Sequence, residues 1–182
     1  MILSSTIISP TTEREIADFS NRFRNVTHVQ MDALSSNGML EANLENFGVR
    51  ALPTYHFDKA EVIVSFGADF MGNWGDPDNE KKYSKRRNPK LGNMSKHYQI
   101  ESTLTLTGSN ADERIQIKPS EQAGLLYNLY DALSGAEADK RIAKLVSSLK
   151  NAKSSIVVCN SNNKEVQLLV NAINNKLGNY PP

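Results

Sequence analysis

The stretch from Glu61 to Gly72, EVIVSFGADFMG, limits what this chain can fold into more than any other. Val62, Ile63, Val64 and Phe66 form a near-continuous apolar, β-branched run. That is the pattern of a strand covered on both faces, as in a parallel sheet flanked by helices. Gly67, Ala68 and Asp69 follow where such a strand ends and the chain turns away. In open α/β sheets ligands bind outside those carboxyl ends, so the sequence predicts that any pocket starts here.

The flanking chain supports a βα rhythm. A strand-like run, Ile2 to Ile8, precedes Ser9-Pro10-Thr11-Thr12, where Pro suits a first helical turn and Thr12 with Glu15 matches a capping box. Ile16, Phe19 and Phe23 then share a helix face. Val26 to Met31 reads as a second strand, and Met39, Leu40, Leu44 and Phe47 as an amphipathic helix ended by Gly48. A connector through Pro53 and Tyr55-His56-Phe57-Asp58 leads to the central strand. Residues 73–96 are polar, with six basic residues between Lys81 and Lys90. This polar insertion is expected to be a weakly packed, mobile or partner-dependent loop with one short helix near Glu80 to Arg87.

Regularity returns with strands at His97 to Leu104 and Arg114 to Lys118, separated by a turn at Thr107 to Asp112. A helix starting at Pro119-Ser120-Glu121 carries Leu125, Leu126, Leu129, Tyr130 and Leu133 at the 3.6 period. A second helix carries Ile142, Leu145, Val146 and Leu149. Ser155 to Cys159 reads as a last buried strand, and Val166, Leu169, Val170, Ile173 and Leu177 as a closing helix. The expected fold is a three-layer α/β domain over residues 1–182: a mostly parallel sheet of five or six strands with helices on both faces. A strand beginning directly after Met1, and an end at Pro182 just past a helix, suggest a domain excised from a longer chain.

Composition excludes several function classes. A formal net charge of +1, with 23% charged residues, gives no field to draw nucleic acid or anionic lipid. No run of about 18 apolar residues and no basic lead before an apolar core exist, so neither a transmembrane span nor a signal peptide is expected. The single cysteine, Cys159, cannot form an internal disulfide, an iron–sulfur site or a thiolate zinc site. Inside Ile156-Val157-Val158 it reads as a buried, inert thiol.

Sequence motifs for chemistry are sparse. Gly67 and Gly72 are spaced as in a phosphate loop, but Asn73-Trp74 stands where Lys and Ser or Thr are needed. The first βα turn, Ser9-Pro10-Thr11, lacks the glycine fingerprint of dinucleotide binding. His28, His56 and His97 lie far apart, and their spacing favours structural roles over a metal or a catalytic base. The basic run Lys81 to Lys90 has only Tyr83 interleaved, so a solvated loop or a docking site for an acidic partner is favoured over a nucleic-acid grip.

Three segments together carry a resemblance: EVIVSFGADFMG, HYQIESTLTLTGSNADERIQIKPSEQ and the helix that follows. They resemble the molybdopterin-dinucleotide-binding oxidoreductases, in which a strand ends in Gly-Ala-Asn, a second strand carries a ribose-binding acid, and an Ile-Arg-Pro-Gly segment leads into a helix. More narrowly, ISPTT, YHFDKAEVIVSFGADF and LTGSNADERIQIKP are similar to the large iron–sulfur subunit of alternative complex III, a variant Tat-translocated molybdopterin oxidoreductase family. Asp69 stands for the Asn, Glu101 is followed by Ser102-Thr103-Leu104 in place of Pro-Arg-Arg, and Lys118-Pro119-Ser120 stands for Arg-Pro-Gly.

The resemblance implies a cofactor-free scaffold domain in a membrane quinol-oxidising electron-transfer complex on the periplasmic side of the inner membrane. Its partners would be other domains of the parent chain and subunits of that respiratory complex, without nucleic acid and without direct membrane insertion. Iron–sulfur clusters would lie elsewhere in the parent chain. The residual cofactor pocket would comprise Gly67, Ala68, Asp69, Glu101 and Lys118. The alternatives are a domain that still binds molybdopterin guanine dinucleotide and assists redox chemistry, and a generic nucleotide-binding module.

Overall fold

A computed structural model describes residues 1–23, 25–32 and 34–180 of the chain. It divides into two compact units, residues 1–36 and residues 37–182. The first unit holds strand β1 (Ile2–Ser4), helix α1 (Pro10–Arg22) and strand β2 (His28–Gln30). β1 and β2 pair in parallel, Leu3 opposite Val29, as a two-stranded sheet of their own. The α1 cap is Ser9, whose hydroxyl accepts from the Thr12 amide at 3.4 Å, three residues upstream of the start suggested by Thr12 and Glu15. No α1 side chain is buried, and the Phe19 and Phe23 rings lean on each other at 4.7 Å.

In the second unit, helix α2 (Asn37–Phe47) leads through an irregular segment to strand β3 (Val62–Phe66). Helix α3 (Asp78–Arg86) and strand β4 (Lys96–Glu101) follow, then the single turn α4 (Leu106–Ser109), strand β5 (Glu113–Gln116), helices α5 (Gln122–Leu133) and α6 (Ala143–Asn151), strand β6 (Ser155–Cys159) and helix α7 (Lys164–Lys176). The four strands are all parallel, in the order β5-β4-β3-β6. The fold is α/β as the sequence implies, but among the described residues the six strands are divided between sheets of four and two. Strand periodicity records burial and does not encode which strands pair, so this division was not legible.

All five β3 residues are buried, as expected of an inner strand. Val62, Val64 and Phe66 face α5, α6 and α7, packing with Tyr98, Ile100, Leu126, Leu129, Leu145, Val157 and Ile173. Ile63 faces the opposite way, into a second core of Phe57, Ala60, Ala68, Phe70, Tyr83 and Val158. Phe57 and Phe70 stack at 4.3 Å, and Tyr83 meets Phe70 edge-on at 5.4 Å.

This second core corrects the mobile-loop expectation for residues 73–96. The short helix is there as α3, but Tyr83 and Asn79 are buried, and the Ser95 amide donates to Arg86 O at 3.1 Å. The segment adds cover to one sheet face, which its polarity hid because its aromatic contribution there comes from only two rings, the buried Tyr83 and the half-buried Trp74.

α2 also turns a different face inward. Gly38, Met39, Ala42 and Asn43 are buried while Leu44 and Phe47 are exposed. A Cβ on Gly38 would stand 2.2 Å from Asn162 O, so only glycine permits this approach. The Gly38 amide donates to Asn162 Oδ1 at 2.8 Å.

Candidate functional site

The carboxyl end of β3, where the sequence places a pocket, is filled by the protein's own groups. Gly67 turns with φ +67°, and its amide donates to Ile100 O at 2.8 Å instead of pointing outward. The Asn160 side chain lies against the Gly67 Cα, and Gln122 Nε2 bridges Phe66 O, Cys159 Sγ and Asn160 Oδ1 at 2.9–3.1 Å. Ala68 is buried, with its carbonyl accepting from Ser65 Oγ at 2.9 Å. Asp69 accepts from the Thr107 amide at 2.9 Å, and Thr107 Oγ1 accepts from the Met71 amide at 2.9 Å. Burial pushes the Cys159 thiol up to about 11, so it is inert as the sequence implies.

Glu101 is likewise engaged. Its side chain is 2% exposed and accepts from Arg114 Nε at 2.6 Å, Thr105 Oγ1 at 2.7 Å, the Thr105 amide at 3.2 Å and Gln99 Nε2 at 3.1 Å. Burial would raise its pKa, but the Arg114 guanidinium and the Thr105 and Gln99 donors outweigh that and hold it low. Glu101 thus fixes the α4 turn and leaves no lone pair facing outward for a ribose. Lys118 is exposed, and its amide donates to Glu121 Oε2 at 2.8 Å, starting the turn into α5. With the Gly67 amide and the Glu101 carboxylate already paired and Asp69 bonded to Thr107, this end does not match the pyrophosphate and ribose of a dinucleotide.

A buried polar row runs inward from Glu101 along one face of β4. His97, Gln99 and Glu101 alternate with the core residues Tyr98 and Ile100, as strand geometry requires. His97 Nδ1 lies 3.1 Å from the Tyr83 hydroxyl and Nε2 lies 3.3 Å from Gln99 Oε1. Burial pushes His97 down to about 4, so it is neutral at pH 7; because Gln99 Nε2 donates to Glu101, its Oε1 faces His97 and assigns the ring proton to Nε2. His28 bonds Ser4 Oγ at 2.8 Å through Nε2. His56 is exposed, 3.9 Å from Asp58. Among the described residues no three His, Cys, Asp or Glu side chains converge as a metal site requires.

The open site lies elsewhere in the second unit, along the outer edge of β6 and the segments that enter β3 and β6. A cleft of about 710 Å³ is walled by Met39, Tyr55, Ala60, Ile156, Val157 and Val170, with amides of Asn43, Gln167, Asn171 and Asn174 among them. None of Gly67, Ala68, Asp69, Glu101 or Lys118 lines it.

The amides are tied to the backbone. Asn174 accepts from the Val157 amide at 3.0 Å and donates to Val157 O at 2.8 Å. Gln167 donates to Cys159 O at 3.0 Å. Asn43 donates to Ala51 O at 2.8 Å and accepts from Asn171 at 3.1 Å. Tyr180 donates to Asn171 Oδ1 at 3.1 Å. In volume and in a mainly apolar wall with few fixed polar groups, the cleft has the character of a small-molecule site. Sequence reasoning missed it because its walls come from residues more than a hundred positions apart.

No family model matches the chain, and no curated protein matches it. Among solved structures of similar fold is a chain of the formyltransferase/hydrolase complex (FhcABCD) from Methylorubrum extorquens in complex with methylofuran. The TM-score is 0.66 and the identity 14%, over 97% of this chain and 49% of that one. The likeness is one of fold, and this chain spans about half the length of that neighbour.

These findings overturn the resemblance to the molybdopterin oxidoreductases and to the iron–sulfur subunit of alternative complex III, since the neighbour belongs to a formyltransferase/hydrolase complex. The scaffold role in a quinol-oxidising complex falls with it, as does the oxidoreductase alternative. The physical reason is visible in the residues that carried the resemblance. The Gly67 turn and the Glu101 acid answer local packing needs that parallel α/β sheets share, so short motifs around them do not mark one family.

Proposed function

We propose that this chain is a ligand-holding α/β domain working within a multi-subunit assembly, with the cleft beside β6 as its site. The observation that carries this reading is the contrast between the two candidate sites: the carboxyl end of the sheet is closed by the chain's own side chains, while the cleft is open and mainly apolar. The assembly part draws support from the fold neighbour, which is a subunit of a complex. It also draws support from the first unit. Two short strands and one helix are too few for independent stability, and Leu3, Ile8, Phe19 and Phe23 are 49–91% exposed there.

Native mass spectrometry of the protein isolated from its own source tests both parts together. The expected spectrum contains further protein chains in fixed stoichiometry and a small molecule that leaves when the chain unfolds. A chain that emerges alone at its bare mass contradicts the proposal.

A further inference from the structure

We infer that the cleft beside β6 takes an amphipathic anion: a compact apolar body carrying one anionic oxygen head. This deepens the reading of the cleft as a ligand site and rests on it. Three observations select the class.

The first is charge. No Asp or Glu lines the cleft, whereas Lys59 and Lys153 stand at its rim, and among the described residues no acceptor or ion-pair partner meets either ammonium group. Glu61 does not line the cleft; its carboxylate is engaged outside it, accepting from the Lys153 amide at 3.0 Å and facing Arg86 at 3.9 Å. Two lysines that share a cleft with no lining carboxylate, beside a low-dielectric wall, attract an anion.

The second is placement. Lys59 and Lys153 sit on neighbouring segments fastened together where β3 and β6 begin: Ser154 Oγ donates to Lys59 O at 2.8 Å, and the Glu61 amide donates to Ser154 O at 3.0 Å. Both lysines therefore reach the cleft from backbone segments that are bonded to each other. Much of the rest of the wall is apolar, with Tyr55, Ala60, Val157 and Val170, and matches an apolar body.

The third observation excludes an extended peptide. A strand added to β6 needs the outward backbone groups of that edge. Asn174 already pairs with both the N–H and the C=O of Val157, and Gln167 takes the Cys159 carbonyl. The remaining surface suits an occupant that brings no backbone ladder.

The test uses octanoate, with 1-octanol as its neutral counterpart and acetate as the head alone, measured by calorimetry and by amide chemical shifts. Octanoate is expected to bind at submillimolar concentration and shift the Val157 amide and the Asn174 side-chain amide. Octanol should bind at least tenfold more weakly and acetate not measurably. Lys59→Gln and Lys153→Gln, both at exposed positions and so compatible with folding, should each weaken octanoate about five- to tenfold and leave octanol unchanged. Leu52→Glu, which places a carboxylate on the exposed wall, should weaken octanoate alone. Equal binding of octanol and octanoate, unaffected by the Lys variants, overturns the anion assignment while the cleft remains a site. Shifts confined to residues outside the cleft, or none at all, overturn both.

Discussion

His97 allows the buried polar row to be tested by pH alone. Its ring is fully buried and its pKa is depressed to about 4, against 6.5 for the free side chain. Between those values the unfolded chain takes up a proton that the folded chain refuses. Stability is therefore complete above about pH 6.5 and is lost as pH falls towards 4. At about 1.4 kcal/mol per pKa unit the whole effect is about 3 kcal/mol, of which about 2 kcal/mol falls between pH 7 and pH 5.

Urea unfolding at pH 7, 6 and 5 reads this directly when wild type is compared with His97→Gln, which keeps a polar side chain between Tyr83 and Gln99. Glu101 and Asp112, whose pKa values are lowered by Arg114 and Arg87 against the effect of burial, contribute equally to both chains and cancel in the comparison. Wild type is expected to lose about 2 kcal/mol more than the variant across the range. Parallel pH profiles would refute a neutral, desolvated His97 and with it the hydrogen-bond order assigned along β4.

The other structural assignments have equally direct tests. Glu101→Gln leaves the Arg114 guanidinium without its carboxylate at a buried position and should cost about 2–3 kcal/mol in urea unfolding; a loss below about 0.5 kcal/mol would show that the pair is not structural. Gly67→Ala must hold φ +67° and push aside Asn160, so a loss of about 2 kcal/mol is expected, and an unchanged melting temperature would contradict the turn. Asn174→Leu strips both hydrogen bonds from Val157 and uncovers the β6 edge. It should lower stability by about 2 kcal/mol and promote concentration-dependent association, seen by light scattering.

Most elements of this fold could be read from the sequence because their signals are local. Val62 to Phe66 and Ser155 to Cys159 announce buried strands by continuous apolarity. Leu125, Leu126, Leu129 and Leu133 announce α5 by period. What escaped depends on the third dimension: the pairing that separates β1 and β2 from the other four strands, the Tyr83 ring that makes a polar segment into core cover, and the Gly38 approach that rotates α2. Gly67, Ala68 and Asp69 follow β3, Glu101 ends β4 and Lys118 follows β5, but the Gly67 amide, the Asp69 and Glu101 carboxylates and the Lys118 amide are engaged by Ile100, Thr107, Thr105, Arg114, Gln99 and Glu121. No spacing rule reveals that a neighbour will occupy a group. The cleft is invisible for the converse reason, since Met39, Ala60, Val157 and Asn174 carry no shared motif and Asn174 reads as helix surface.

The central claim, that the working surface of this fold is the cleft beside β6, is tested most directly by a crystallographic fragment soak. Crystals exposed to a library of small anionic, neutral and cationic fragments should show bound molecules gathered between Tyr55, Val157 and Lys153. Fragments that instead gather at Gly67, Asp69 and Gly108, with the cleft occupied only by solvent, would contradict the account.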